Sequence, residues 1–104
     1  MCVFSGEEVV GFILISYKIR VANIDKIAVH TNQRRKGIAS GLLDEALIVI
    51  EEVLRGNNKK VMLMVDASNS AAQQLYVNKG FEIKQIKHNA YGEGEDGFSM
   101  ALQL

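Results

Sequence analysis

The stretch Arg34-Arg35-Lys36-Gly37-Ile38-Ala39 constrains this chain more than any other, because of what flanks it. Before it, Ile24 to His30 is rich in apolar and β-branched residues and reads as a strand. After it, Ser40 to Leu54 carries apolar residues at helical spacing. A strand that enters a short basic loop with a glycine and leaves as a helix also suits a diphosphate. The first N–H groups of such a helix lack intrahelical acceptors, its dipole favours negative charge, and glycine lets a phosphate approach the main chain. Three cations in a row would otherwise read as a solvated cluster or a weak nucleic-acid patch. The glycine and the helix start behind them favour the phosphate reading. A P-loop is disfavoured, since Gly37 is not followed by Lys and Ser or Thr, and no second glycine sits at the required spacing upstream.

Around this centre the chain alternates strands and helices. Met1 to Phe4 and Val9 to Tyr17 suggest a hairpin through Ser5-Gly6-Glu7-Glu8, and a turn near Arg20 leads to a strand from about Ala22 to Val29. In the long helix, Ile38, Leu42, Ala46, Val49 and Val53 form a stripe that Leu43, Leu47, Ile50 and Leu54 widen. Arg55-Gly56-Asn57-Asn58 ends it, with Gly56 or an Asn suited to a left-handed cap. Val61 to Val65 is a continuous apolar run, expected as an interior strand covered on both faces, and Met62, Met64 and Met100 read as core filling. Asp66 to Ser70 offers N-caps for a short helix over Ala71 to Asn78 that ends at Gly80. Phe81 to Ile86 reads as a strand, His88 to Glu95 as a loop, and Phe98 to Leu104 as a last strand. The order β-β-β-α-β-α-β-β predicts a mixed α/β sheet with a central parallel crossover, in one domain over residues 1–104.

Composition narrows the function classes. Twelve Lys and Arg balance twelve Asp and Glu, which gives no general electrostatic case for nucleic acid or an anionic membrane. Apolar residues at 48% fit a packed core, yet no run is long enough to span a bilayer and the N-terminus lacks signal-peptide character. The single cysteine, Cys2, excludes an internal disulfide and fits a reducing cytoplasm, the expected location. His30 and His88 with that cysteine make no metal site of recognisable spacing, so no metal is expected.

With the loop and both helices placed, the chain resembles the GCN5-related N-acetyltransferase (GNAT) superfamily over nearly its whole length. The family's phosphate-binding pattern is Arg or Gln, two residues, Gly, one residue, then Gly or Ala, and it matches Arg34, Gly37 and Ala39. Ser68-Asn69-Ser70-Ala71-Ala72, then Leu75-Tyr76 and Lys79-Gly80-Phe81, looks like its second motif. Tyr91 through Glu95-Asp96-Gly97 to Met100-Ala101 is similar to the C-terminal signature of the ribosomal-protein alanine and Ard1-type N-terminal acetyltransferases. The resemblance implies acetyl-CoA as donor and an amine as acceptor: the α-amine of a protein N-terminus, or alternatively a small polyamine-like molecule. It also implies pantetheine lying where two core strands splay, against the main chain of Ile27, Ala28 and Val29, with Val29 as oxyanion stabiliser. Arg35, Lys36, Gly37, Ile38, Ala39 and Ser40 would wrap the pyrophosphate, with Arg34 at the entrance. The family's full arrangement has a further strand and two helices ahead of the hairpin. Their absence from this sequence would remove one wall of the acceptor site and leave an edge and an apolar surface wanting cover, for example in a homodimer.

Individual residues carry both plain and chemical readings. Asn69 is a good N-cap and, as in the family, a partner for the pantetheine arm; both roles are expected. Tyr76 suits a core aromatic, but it lies about two helical turns beyond Asn69, the spacing of the family, and the resemblance implies a general acid returning a proton to the departing thiolate. The family's general-base Glu falls at Met64, which cannot accept a proton. Asp25 acting through water, His30, Tyr91 and Glu95 are the candidates to replace it, Asp25 being the one expected as catalytic; an amine that arrives neutral, or is deprotonated through ordered water, is the alternative. Tyr91 and Glu95 are expected to border the acceptor site. A fold that holds the coenzyme without turnover, serving as a sensor or subunit, is the competing class. A nucleic-acid adaptor built on Arg34 to Lys36 is a third, opposed by the neutral charge.

Overall fold

The structure, a computed structural model, describes residues 2–5, 8–29 and 37–104. Its elements follow the expected order: β1 (Cys2–Ser5), β2 (Glu8–Lys18), β3 (Val21–Val29), α1 (Ile38–Val53), β4 (Lys60–Asp66), α2 (Ser70–Asn78), β5 (Glu82–Gly92) and β6 (Glu95–Gln103). The strands form one six-stranded sheet in the order β1-β2-β3-β4-β6-β5. β3 and β4 run parallel, as the α1 crossover demands, and the other neighbours pair antiparallel. The expected mixed sheet and central crossover are therefore present.

Strand alternation builds the core. Ile13, Ala22, Ile24, Val61, Leu63, Val65 and Met100 face one side of the sheet. There they meet Leu42, Leu43, Ala46 and Ile50 of α1 and Tyr76 of α2. Both helices thus cover the same face, as two right-handed crossovers require. Burying each large aliphatic here contributes about 1.5–3 kcal/mol before chain entropy is charged against it. Gly11 in β2 permits the close approach of α1: a Cβ there would lie 3.2 Å from both Ile38 Cγ2 and Leu42 Cδ1. That seats the start of α1 beside the far end of β3.

Several expectations need correction. The buried stripe of α1 runs through Leu42, Leu43, Ala46 and Ile50, whereas Val49 and Val53 are exposed, because the sheet lies under a face rotated from the one read. Leu54 ends the helix in an extended conformation; Gly56 and Asn58 do take positive φ, but in the loop beyond it. The apolar run of β4 is covered on one face only: Met64 is 46% exposed and is not core filling. The segment 88–95 is not a loop but most of a β-hairpin, with β5 reaching Gly92 and β6 starting at Glu95. Its register is broken between Lys87 and Gly92, where Asn89 adopts a positive φ of 55°. Glycines and polar residues hid strand backbone here, because bulged hairpins tolerate both.

Candidate active site

The site begins where the sheet comes apart. The parallel ladder of β3 and β4 pairs Val21 with Lys60 through to Ile24 with Leu63 and then stops, although β3 continues to Val29 and β4 to Asp66. A bulge accounts for the divergence. In the β2–β3 register Leu14 faces Lys26 and Ile15 faces Ile24, so Asp25 is an extra residue. Bulges bend the strand and increase its twist. The break opens a cleft on each face of the sheet.

On the helix side lies a cleft of about 660 Å³. Its walls are Ile27, Ala28 and Val29 from β3, Gly37 to Ser40 at the start of α1, and Asn69, Ala71, Ala72, Leu75 and Tyr76 from α2. Gly37 caps α1 in the left-handed conformation (φ 74°, ψ 10°), offers no side-chain acceptor, and no carboxylate occupies the first turn. The opening N–H groups of α1 are thus set toward an anion. Asn69 caps α2, its Oδ1 accepting from the Ala72 N–H at 3.1 Å. The turn leading into α2 is knitted by Asp66, whose Oδ1 accepts from the Ser68 N–H and hydroxyl at 2.9 and 2.8 Å. Those two bonds, the main-chain one first, hold the Asp66 carboxyl below its ordinary range. Lys79 at the end of α2 pairs with Asp44 of α1 at 2.8 Å, which ties the two helical walls together.

Tyr76 is the one buried residue of α2, 6% exposed, and its ring packs edge-on against Phe81 with centroids 5.9 Å apart. Burial pushes its phenol above the ordinary tyrosine value, and the nearby Tyr91 adds to the shift. A protonated phenol at the wall of a cleft is a proton donor in waiting.

The opposite face carries a smaller cleft of about 360 Å³, lined by Asn23, Ile24, Asp25, Met62, Leu63, Met64, Tyr91 and Ser99. Its chemistry differs: two thioethers, a carboxylate from the bulge, a phenol and small polar groups. Burial raises the Tyr91 phenol as well, with the Asp66 carboxylate contributing. Elsewhere on β3, Lys26 Nζ lies 5.9 Å from the centre of the Phe12 ring.

The donor-side candidates Ile27, Ala28, Val29, Gly37, Ile38, Ala39, Ser40, Asn69 and Tyr76 thus share one cleft, and Asp25 and Tyr91 share the other. Glu95 is not grouped with them; it lies on β6 in a separate depression with Asp66, Ser68 and Asp96. Arg34, Arg35, Lys36 and His30 lie outside the described residues. Ala71, Ala72 and Leu75, which the sequence offered only as parts of the second motif, also line the helix-side cleft, and Asn23, Met62 and Ser99, not named as site residues, line the opposite one. Period-two alternation along β3, β4 and β6 was the available signal for the latter three. Among the described residues no cluster of His, Cys, Asp and Glu forms a metal site, and no helix is long and apolar enough to cross a membrane.

Comparison with known proteins bears on this geometry. Residues 1–81 match the family model of the acetyltransferase (GNAT) family. An N-alpha-acetyltransferase of Sulfurisphaera tokodaii is 34% identical over 110 residues, a match covering 93% of this chain and 64% of that one. The crystal structure of the Escherichia coli ribosomal-protein-S18-alanine N-acetyltransferase superposes with a TM-score of 0.86 at 30% identity, over 96% of this chain and 64% of that one. The NatC complex bound to Gag peptide and CoA gives 0.83 at 26% identity, over 96% and 64%. The chain therefore spans less than two thirds of the length of each.

Proposed function

This chain is a member of the acetyltransferase (GNAT) family, and from that premise we propose that it transfers an acetyl group from acetyl-CoA to the α-amino group of a protein N-terminus. The observation that carries the reading is the break in the β3–β4 ladder, with a cleft suited to the donor on one face and one suited to an amine on the other. The relatives named for N-terminal acetylation support the acceptor class, and the CoA-bound NatC complex supports the donor.

The residues present fit that donor. The carboxylate-free start of α1 behind Gly37 would take the pyrophosphate, Arg34 to Lys36 adding charge, and the main chain of Ile27 to Val29 would align the pantetheine arm. Asn69 keeps its amide N–H donors for that arm while its oxygen serves as cap. Acetyl-CoA supplies an activated thioester. Val29 is the candidate main-chain donor to the oxygen that gains negative charge as the amine attacks. Asp25 takes the amine's proton through water, and Tyr76 gives one to the departing thiolate, so acetylated amine and free CoA thiol leave the site. No covalent enzyme intermediate is needed.

The test mixes purified full-length chain with acetyl-CoA and a panel of N-terminal peptides and polyamines, following thiol release, with donor binding measured by calorimetry. Thiol release with peptides is the expected result. Release with polyamines alone transfers the reading to small amines, and donor binding without release makes the chain a coenzyme-binding module.

A further inference from the structure

Gly97 lies in β6, opposite Asp66 of β4 and Lys87 of β5, on the open face of the sheet. A glycine inside a strand weakens it unless something needs the room. Gly97 is not among the glycines with positive φ, so its backbone conformation does not call for glycine. Space does. A Cβ at this position would lie 2.9 Å from Tyr91 Cε2, 3.1 Å from Ala90 Cβ and 3.3 Å from Met64 Cγ. Tyr91 and Met64 both line the acceptor-side cleft.

The irregular hairpin explains how Tyr91 reaches that seat. Between Lys87 and Gly92 β5 departs from its register with β6. Asp96 secures the detour: its Oδ1 accepts from the Asn89 N–H at 3.0 Å, and its Oδ2 lies 3.4 Å from His88 Nδ1. Asn89 in turn accepts from the Gly94 N–H at 2.7 Å, and the Asp96 carbonyl accepts from the Ala67 N–H at 2.8 Å, anchoring the hairpin to the end of β4. The Tyr91 ring then rests on the bare main chain of residue 97, next to Met64.

We infer that Gly97 is a specificity-determining position: by lacking a side chain it seats the Tyr91 ring against Met64, and this seat fixes the shape offered to the first residue of the acceptor. The inference rests on the acyl-transfer reading above for its functional half and on the packing alone for its structural half. A methyl group at 97 displaces the ring, the tightest of the three contacts, while the cleft on the other face is untouched.

The experiment uses the full chain with its tyrosines carbon-13-labelled on the ring, Tyr91→Phe assigning the Tyr91 signal among the three tyrosines. Gly97→Ala is expected to move that signal and leave the Tyr76 signal in place. It is also expected to change the kcat/KM ratio between peptides with large apolar and small first residues by about tenfold, with acetyl-CoA affinity within twofold. In a Tyr91→Ala background the same substitution has no further effect on the ratio. An unmoved ring signal, an unmoved ratio in an active wild type, or full additivity with Tyr91→Ala overturns the inference alone. A wild type that binds acetyl-CoA but acetylates no peptide overturns the acyl-transfer reading, and the specificity role with it. Should Gly97→Ala fail to fold, the double variant with Tyr91→Ala is expected to fold again; its failure overturns the seat.

Discussion

The two clefts that meet at the broken ladder are built on different principles. The helix-side cleft, proposed for the donor, is set by local features of the chain: three consecutive residues of β3, a glycine-capped helix start and a short capped helix that contributes Tyr76. The acceptor side is made of side chains from separate strands, with a bulged carboxylate, two thioethers and a tyrosine folded back across a hairpin. A site set by local chain geometry tolerates substitution wherever the backbone path survives. Side-chain sites are redefined by single changes.

Substitutions on each side test that contrast. Tyr76→Phe removes the proton donor while keeping the ring packed on Phe81, so kcat is expected to fall by roughly 10²- to 10⁴-fold with donor affinity retained. Steady-state kinetics beside calorimetry reads both; unchanged turnover removes Tyr76 from the chemistry. Asp25→Asn, across the sheet, is expected to cost about 10²-fold at the low end of base catalysis, again without loss of acetyl-CoA binding. A variant that instead loses donor binding would erase the division between the faces. Asn69→Ala falls on the donor side and reverses the pattern. It loses a helix cap, about 1 kcal/mol by thermal melting, and weakens acetyl-CoA binding by roughly three- to tenfold. The smallest effect concerns alkaline pH. The Tyr76 phenol is held above the ordinary tyrosine value of about 10 by burial. Its contribution to stability is therefore present below that pH and lost as pH rises beyond it, when the unfolded chain ionises first. Tyr76→Phe is expected to flatten that alkaline decline in denaturant titrations.

The same division decided what could be read in the sequence. Gly37 and Asn69 announce themselves locally, because helix starts and caps leave a local pattern, whereas Tyr76 stands out only through the family resemblance. The element order was legible for the same reason. Met64 was misread because an apolar residue in an apolar run says nothing about which face of a sheet is covered. The bulge at Asp25 and the seat of Tyr91 on Gly97 depend on cross-strand register, which joins residues far apart in the chain. Glu95 pairs across the hairpin with Gly92, the neighbour of Tyr91, yet the two residues line different depressions, which spacing along the chain does not reveal.

A helix whose opening turn is completed by a dissociable partner melts according to how much of that partner is present. Since α1 starts on a glycine that supplies no acceptor of its own, coenzyme held there would finish the cap as well as fill the cleft. At free coenzyme a hundredfold above its dissociation constant the fold gains about 2.7 kcal/mol. The persistence of this small domain would then be coupled to the supply of the coenzyme, acetylated or free.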